Sequence, residues 1–127
     1  MPKILIVEDD PMIRDVLSRR LQIEGYQVIT ANDGGEGVQR ARVNRPDLIV
    51  MDMGLPVING WQATYRIRSM PMTKAIPIIA LTAYAMKEDR AKCLLAGCNE
   101  YESKPVEIGR LLEKIQMLIG KQVLVGQ

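Results

Sequence analysis

Residues 3 to 8 read Lys-Ile-Leu-Ile-Val-Glu, a short apolar run rich in β-branched side chains with no alternation of polar and apolar residues. This pattern is typical of a strand that is buried on both faces, as in a parallel sheet. A helix is predicted next, because Asp10 suits the N-cap, Pro11 suits the first turn and Gly25 suits the carboxyl end. Along it, apolar residues recur on one side at helical spacing: Ile13, Val16, Leu17 and Leu21.

The same order of strand and helix repeats along the rest of the chain. Four further strands are predicted at 26–31, 47–52, 76–82 and 99–103. Three further helices are predicted at 34–44, 59–70 and 86–96, the second with inward-facing Trp61, Thr64 and Ile67. A last amphipathic helix has six apolar residues on one face: Ile108, Leu111, Leu112, Ile115, Leu118 and Ile119. Because right-handed crossovers lay helices over a parallel sheet, five such units predict a doubly wound α/β fold with a five-stranded parallel sheet and helices on both faces.

Length and composition fit a single domain. The chain has 127 residues and a hydrophobic content of 47%, enough for one core. We expect residues 1–120 to form the domain and residues 121–127 to form a short carboxyl-terminal tail. The net charge of +2 is too small to indicate nucleic acid as a direct partner. Since no apolar run is long enough for a signal peptide or a membrane span, we expect a cytoplasmic protein with no membrane partner.

The chain contains no histidine, which excludes most zinc sites, Ser-His and Cys-His catalytic pairs, and phosphohistidine chemistry on the chain itself. Its two cysteines, Cys93 and Cys98, fit neither a redox nor a zinc spacing, so we expect buried thiols. Any chemistry must therefore use carboxylates, hydroxyls, lysine and backbone groups.

Polar groups stand at the carboxyl ends of four predicted strands. The first strand ends in Glu8, Asp9 and Asp10, the third ends in Asp52, the fourth ends in Thr82, and Lys104 follows the fifth. In open parallel sheets, sites form at this edge, where the loops converge. The sequence therefore predicts that these groups, from separate parts of the chain, form one site.

Carboxylates held a few ångströms apart repel one another unless one takes up a proton or a cation binds. Oxygen ligands without histidine or cysteine favour a hard ion such as Mg²⁺, or Mn²⁺ in its place. Once neutralised in this way, one carboxylate can attack a phosphoryl group while the metal, lysine and hydroxyl share the charge on the phosphoryl oxygens. The product would be an aspartyl phosphate.

Four segments resemble the response-regulator receiver family, in the CheY-like, single-domain form, along essentially the whole chain. They are Glu8-Asp9 after the first strand, Met-Asp-Met-Gly-Leu-Pro-Val-Ile-Asn-Gly at 51–60, Leu-Thr-Ala at 81–83 and Tyr-Glu-Ser-Lys-Pro at 101–105. Each segment alone is a weak signal, and the four together are highly specific. The resemblance also implies the flavodoxin-like strand order 2-1-3-4-5.

The resemblance implies a role for each site residue. Asp52 would be the phospho-acceptor, with Thr82 binding a phosphoryl oxygen and Lys104 pairing with the phosphate. Four groups would serve the metal: Asp9 and Asp52 directly, Glu8 through water, and Gly54 through its backbone carbonyl. Thr82 and Tyr101 would act together as the switch, and the peptide bond between Lys104 and Pro105 would be cis.

The same resemblance implies the partners. The phosphoryl donor would be a phosphohistidine on a histidine kinase or histidine phosphotransfer protein, which suits a chain that lacks histidine. Phosphorylation would alter the face made by the fourth helix, fifth strand and fifth helix, and so change which downstream protein binds. The domain would catalyse its own phosphorylation and dephosphorylation, with no turnover of an external substrate.

Three alternatives stand beside this interpretation. A flavin-binding module of similar topology would need a phosphate loop after the first strand, where Glu8, Asp9 and Asp10 would repel it. A phosphatase with an aspartyl-phosphate intermediate commonly has a second aspartate two residues after the nucleophile, where this chain has Gly54. The third alternative is a receiver domain excised from a larger DNA-binding regulator or hybrid histidine kinase.

Overall fold

The computed structural model describes residues 1–83 and 87–120. For residues 87–89 it describes the backbone alone. This part of the chain contains five strands and five helices in strict alternation. The strands are β1 (Lys3–Val7), β2 (Gln27–Ala31), β3 (Leu48–Asp52), β4 (Ile78–Thr82) and β5 (Glu100–Ser103). The helices are α1 (Pro11–Ile23), α2 (Gly34–Asn44), α3 (Gly60–Ser69), α4 (Lys87–Ala96) and α5 (Ile108–Ile119).

All the strands pair in parallel, in the order β2-β1-β3-β4-β5. This confirms the predicted fold class and the strand order. At the carboxyl edge, Val7 is in register with Met51, and Asp52 is in register with Leu81. The registers therefore bring the end of β1 and the end of β4 to either side of the end of β3.

Two apolar cores lie on opposite faces of the sheet. Leu5 and Val7 of β1 pack in the core under α2, α3 and α4, to which Ala41, Ala63 and Cys93 contribute. Ile4 and Ile6 pack in the core under α1 and α5, whose buried residues are Leu17, Leu21, Leu111 and Ile115. Successive side chains of a strand point to opposite faces, so an uninterrupted apolar run fills both cores.

The helix ends follow the predicted chemistry. Asp10 caps α1 by accepting hydrogen bonds from the amides of Met12 and Ile13, and Pro11 occupies the first turn. Asn59 and Gln62 form a reciprocal capping box at the start of α3. Gly25 and Gly97 follow α1 and α4 with positive φ angles of 98° and 110°. Such angles favour glycine because it lacks a Cβ atom.

Several element ends differ from the prediction by one or two residues. β4 begins at Ile78 rather than residue 76, because Pro77 has no amide proton for the sheet. Glu8, Tyr26, Asp47 and Asn99, predicted as first or last residues of strands, lie just outside them. Asn59 and Met70 cap α3 rather than belong to it. Met86 and the tail at 121–127 lie outside the described residues.

Two side chains predicted to face inward are more exposed than expected. Thr64 and Ile67 of α3 are fully buried, but Trp61 is only half-buried, with the Lys92 ammonium 4.7 Å from its ring centre. Val16 of α1 is 51% exposed, whereas Leu17 and Leu21 are buried. Helical spacing defines the side of a helix on which a residue lies, but not whether another element covers it. Cys93 and Cys98 are buried thiols, as predicted.

None of the helices in the described ranges is long and apolar enough to cross a membrane.

Candidate functional site

The candidate site lies at the carboxyl edge of the sheet, where β1, β3, β4 and β5 end. Asp52 and Thr82 are the last residues of β3 and β4, while Glu8 and Lys104 come directly after β1 and β5. The main chain ties two of these ends together, because the amide of Lys104 donates to the carbonyl of Thr82 at 2.8 Å. The parallel registers thus bring together the groups that the sequence predicts at one site.

A buried ion-pair network forms the centre of the site. Lys104 Nζ lies 3.1 Å from Asp52 Oδ2 and 3.4 Å from Glu8 Oε1. The two carboxylates are almost completely enclosed, with Glu8 1% and Asp52 4% exposed. A single ammonium group therefore faces two buried acids, and the acidic charge exceeds the basic charge at this point.

The pKa of Glu8 reflects its burial beside these charges. Burial is the main reason that the pKa of Glu8 rises from 4.5 to about 7, and the neighbouring Asp52 charge adds to the rise. A hydrogen bond from the amide of Asp10 to Glu8 Oε2 at 3.1 Å and the charge of Lys104 act in the opposite direction. Glu8 Oε1 is buried and accepts no hydrogen bond from the described residues, although it lies within ion-pair distance of Lys104.

For Lys104, unlike Glu8, the surroundings favour the charged form. Burial by itself would lower the pKa of the Lys104 ammonium, but its hydrogen bond and charge interaction with Asp52, together with Glu8, outweigh this and raise the pKa. The ammonium is thus held in its charged form beside Asp52.

Asp9 completes an acidic cluster that could hold a cation. Carboxylate oxygens of Glu8, Asp9 and Asp52 lie within 4.8 Å of one another, and the Asp9 side chain is exposed to solvent. Only oxygen atoms are offered, which suits a hard divalent cation that keeps several waters. The unsatisfied Glu8 Oε1 fits a donor such as a cation-bound water, so these residues match the chemistry of a magnesium site.

The loop after Asp52 folds closely around it. The amide of Gly54 donates to Asp52 Oδ1 at 3.0 Å, and the amide of Gly60 donates to the carbonyl of Met53 at 3.1 Å. A Cβ atom on Gly60 would lie 2.4 Å from the carbonyl oxygen of Asp52, closer than real contacts allow. Glycine at the start of α3 therefore lets the helix approach the backbone of Asp52.

Thr82 and Tyr101 differ in their environment. Thr82 is buried beside Lys104 at the carboxyl edge. Tyr101 is half-buried and packs against the core under α2, α3 and α4. Two cations lie close to its ring, with Arg90 of α4 at 5.8 Å and Lys114 of α5 at 5.3 Å from the ring centre. Cations at this distance are attracted to the face of an aromatic ring.

The Lys104–Pro105 peptide bond is cis. Sequence reasoning overlooked two groups near these residues. Arg14 Nη1 of α1 donates to the carbonyl of Glu8 at 3.0 Å. Glu102 is buried in β5 and accepts hydrogen bonds from Arg110 Nε at 2.9 Å and Lys114 Nζ at 2.8 Å. Neither contact has a signature in sequence spacing, because the first depends on where α1 starts after the turn and the second on how α5 packs against β5.

The family model of the response regulator receiver domain matches residues 4–116. The chain belongs to the response regulator receiver domain family. As a receiver domain, it is part of a two-component or phosphorelay signalling system, and its family is generally not one of metabolic enzymes. This sets aside the flavin-binding alternative.

Relatives of known name agree with this assignment. The receiver domain is 37% identical to the polar-differentiation response regulator DivK of Brucella anthropi, over 94% of this chain and 98% of that protein. It is 42% identical to the receiver domain of sensor histidine kinase PA1611 from Pseudomonas aeruginosa, with a TM-score of 0.87 over 94% of this chain and 98% of the other. That structure has a magnesium ion coordinated in its active site cleft.

A third relative is a complex. The receiver domain of the Saccharomyces cerevisiae response regulator Ssk1, solved with the histidine phosphotransfer protein Ypd1, is 32% identical with a TM-score of 0.89. The likeness covers 98% of this chain and 93% of the other.

Proposed function

We propose that this receiver domain accepts a phosphoryl group on Asp52 from a phosphohistidine of a histidine kinase or histidine phosphotransfer protein, with Mg²⁺ or Mn²⁺ bound. The observation that carries the proposal is that Asp52 contacts the Lys104 ammonium at 3.1 Å and also belongs to the cluster of Glu8, Asp9 and Asp52, whose carboxylate oxygens lie within 4.8 Å of one another. A cation and an ammonium next to the same carboxylate suit a reaction that brings a dianionic phosphoryl group to it.

In this proposal the metal ligands are the carboxylates of Asp9 and Asp52, Glu8 through a water, and the backbone carbonyl of Gly54. The grouping of the three carboxylates within 4.8 Å and the unsatisfied Glu8 Oε1 support it. The magnesium ion in the Pseudomonas aeruginosa relative supports the choice of metal. When bound, the cation would offset carboxylate repulsion and polarise the phosphoryl oxygens.

The transfer itself is a displacement at phosphorus. An Asp52 carboxylate oxygen attacks the phosphorus, the phosphorus–nitrogen bond to the donor histidine breaks, and the electron pair returns to the imidazole ring. Lys104 pairs with one phosphoryl oxygen and the Thr82 hydroxyl donates to another. Self-catalysed phosphorylation and dephosphorylation, without turnover of an external substrate, belong to this proposal.

The output in this proposal is a switch made by Thr82 and Tyr101. As Thr82 moves toward the phosphoryl group, Tyr101 turns inward and leaves the two cations that lie close to its ring. Because Arg90 and Lys114 lie on α4 and α5, the rearrangement alters the surface made by α4, β5 and α5, where a downstream protein would bind. We place the domain in the cytoplasm, with no nucleic acid as direct partner.

The donor protein would cover an apolar groove beside Lys104. Lys104 lines this groove of about 280 Å³, together with residues of α1 and the segment after β5. The other lining residues are all apolar: Met12, Ile13, Val16, Leu17, Pro105, Val106 and Ile108. A donor that brings phosphohistidine to Asp52 must approach past Lys104, so it would bury these side chains.

A receiver domain within a larger DNA-binding regulator or hybrid histidine kinase stays the second candidate. The specific observation in its favour is that the 42% identical relative is the receiver domain of a sensor histidine kinase.

The test is direct phosphorylation. The protein is incubated with acetyl phosphate and Mg²⁺ and weighed intact, and we expect the added mass of one phosphoryl group. Asp52→Asn should stay unmodified, whereas Asp15→Asn, which changes an exposed acid paired with Arg19, should be modified like the wild type. Absence of added mass on the wild type, or equal modification of Asp52→Asn, would refute the proposal.

A further inference from the structure

We infer that Arg14 is a positioning residue for the metal site, whose guanidinium holds the Glu8–Asp9 peptide so that the Asp9 carboxylate points at the bound cation. The inference rests on the proposed function, since it concerns how one ligand of the proposed site is held in place.

Arg14 spans the turn between β1 and α1. Its side chain donates from Nη1 to the Glu8 carbonyl at 3.0 Å, and its amide donates to the Asp10 carbonyl at 2.9 Å. The Glu8 side chain closes the same turn by accepting from the Asp10 amide at 3.1 Å. Asp9 is therefore the middle residue of a turn that is fixed at the residue before it and at the residue after it.

Asp9 needs this support more than the other acids do. Asp52 is held by Lys104 and by the amide of Gly54, and Glu8 by the amide of Asp10. Asp9 is exposed, and its carboxylate has no hydrogen bond or ion pair within residues 1–83 and 87–120. The backbone then determines where the Asp9 carboxylate lies, and the Arg14 guanidinium of α1 donates a hydrogen bond to the carbonyl that joins Glu8 to Asp9.

Charge and position act in opposite directions here. A guanidinium close to an acidic cluster repels an incoming cation, so charge alone predicts that loss of Arg14 tightens metal binding. A residue that orders a metal ligand from outside the coordination sphere has the opposite effect, since its loss commonly weakens binding tenfold or more. The sign of the change in affinity therefore separates the positioning role from a purely electrostatic one.

The experiment uses the full chain with three substitutions: Arg14→Gln, Arg14→Lys and Arg19→Gln. Arg19 is the matched control, because it lies on the same helix and pairs with exposed Asp15 at 3.1 Å. Free Mn²⁺ is counted by electron paramagnetic resonance during titration of each protein. We expect Arg14→Gln to bind Mn²⁺ about tenfold more weakly than the wild type, and Arg19→Gln to bind as the wild type does.

Arg14→Lys should restore most of the affinity. The contact uses a single nitrogen rather than a paired fork, so an ammonium that reaches the Glu8 carbonyl can replace it, within about threefold of wild type. Recovery by lysine together with loss by glutamine assigns the effect to the hydrogen bond.

A kinetic readout distinguishes positioning from general damage. With acetyl phosphate, we expect Arg14→Gln to need about tenfold more Mg²⁺ for half-maximal phosphorylation of Asp52, with a maximal rate near that of the wild type. A lower maximal rate with an unchanged Mg²⁺ requirement would overturn the inference. So would tighter or unchanged Mn²⁺ binding by Arg14→Gln, or unfolding of that variant in the absence of metal.

The two proposals fail in different ways. If the wild type neither binds Mn²⁺ nor accepts phosphate, the proposed function itself fails. If the wild type does both and Arg14→Gln matches it, only the role of Arg14 is refuted.

Discussion

Lys104 Nζ lies 3.1 Å from Asp52 Oδ2, so the lysine forms an ion pair with the carboxylate that we propose as phospho-acceptor. The same ammonium is 3.4 Å from Glu8, and in our proposal it pairs with a phosphoryl oxygen. Lys104 can therefore stabilise the site before phosphorylation and pair with the phosphate afterwards.

Substitution of Lys104 should make stability depend on the metal. In Lys104→Met the buried carboxylates of Glu8 and Asp52 lose their cation, and we expect the free energy of unfolding without metal to fall by about 2 kcal/mol. Mg²⁺ should restore more stability in this variant than in the wild type, as measured by urea unfolding with and without the ion. Lys74→Met, at an exposed lysine, serves as the control. An equal gain from Mg²⁺ in all three proteins would contradict this account.

A second prediction concerns pH and the buried Glu102. Burial alone would raise its pKa, but the hydrogen bonds and charges of Lys114 and Arg110 outweigh this, and the pKa is lowered from 4.5. A depressed pKa in the folded state adds stability that is present above the unfolded value and is lost as pH falls through the folded one. We therefore expect Glu102→Gln to be less stable than the wild type by about 1–3 kcal/mol at pH 7.

The gap between the two proteins should close in acid. Urea unfolding at a series of pH values should give similar stabilities once the pH lies well below 4.5, where Glu102 becomes protonated in both states. Glu113→Gln, at an exposed position of the same helix, should show little effect at any pH. A gap that stayed constant down to low pH would show that the charge of Glu102 is not the cause.

The apolar runs of the sequence were sufficient to predict the parallel sheet. The residues at the strand ends were sufficient to predict which polar groups lie together at its carboxyl edge. Both follow from local patterns: a strand buried on two faces must be continuously apolar, and parallel strands bring their carboxyl ends to one edge. The roles of Asp52, Thr82, Lys104 and Tyr101 came from resemblance to a family, and they stay predictions.

What the sequence could not reveal depends on packing across elements. In the sequence, Glu102 resembles a solvent-facing strand residue. In the structure, Arg110 and Lys114 of α5 donate hydrogen bonds to its carboxylate. Val16 has the spacing of a core residue, yet the groove beside it leaves it half exposed. Arg14 meets the Glu8 carbonyl only because α1 starts directly after the turn.

The groove beside Lys104 gives a third prediction, which separates protein donors from small ones. Val16 is 51% exposed in that groove, so Val16→Asp should leave the fold intact while placing a charge in an apolar contact. We expect kcat/KM for phosphotransfer from a phosphorylated histidine phosphotransfer protein to fall by about tenfold or more. Phosphorylation by acetyl phosphate should be unchanged, because this small donor does not need to bind in the groove.

The control for the groove is Val43→Asp on α2, since Val43 is 66% exposed and lies outside the groove. Both reactions should proceed in that variant as in the wild type. If Val16→Asp slowed the two donors equally, the groove would not be the donor surface.

The last prediction concerns the glycine that brings α3 against the acceptor. A Cβ atom at position 60 would lie 2.4 Å from the Asp52 carbonyl oxygen and 2.6 Å from Met53 Cα, both backbone atoms that cannot rotate away. Gly60→Ala should therefore lower the free energy of unfolding by about 2 kcal/mol or more and slow phosphorylation by acetyl phosphate.

Gly35→Ala in α2 is the matched control, with its nearest contact at 3.4 Å to a side-chain oxygen. That variant should gain up to about 1 kcal/mol from the better helix propensity of alanine. Thermal unfolding and intact-mass kinetics measure both effects, and a neutral Gly60→Ala would mean that the loop after Asp52 can shift without disturbing the acceptor.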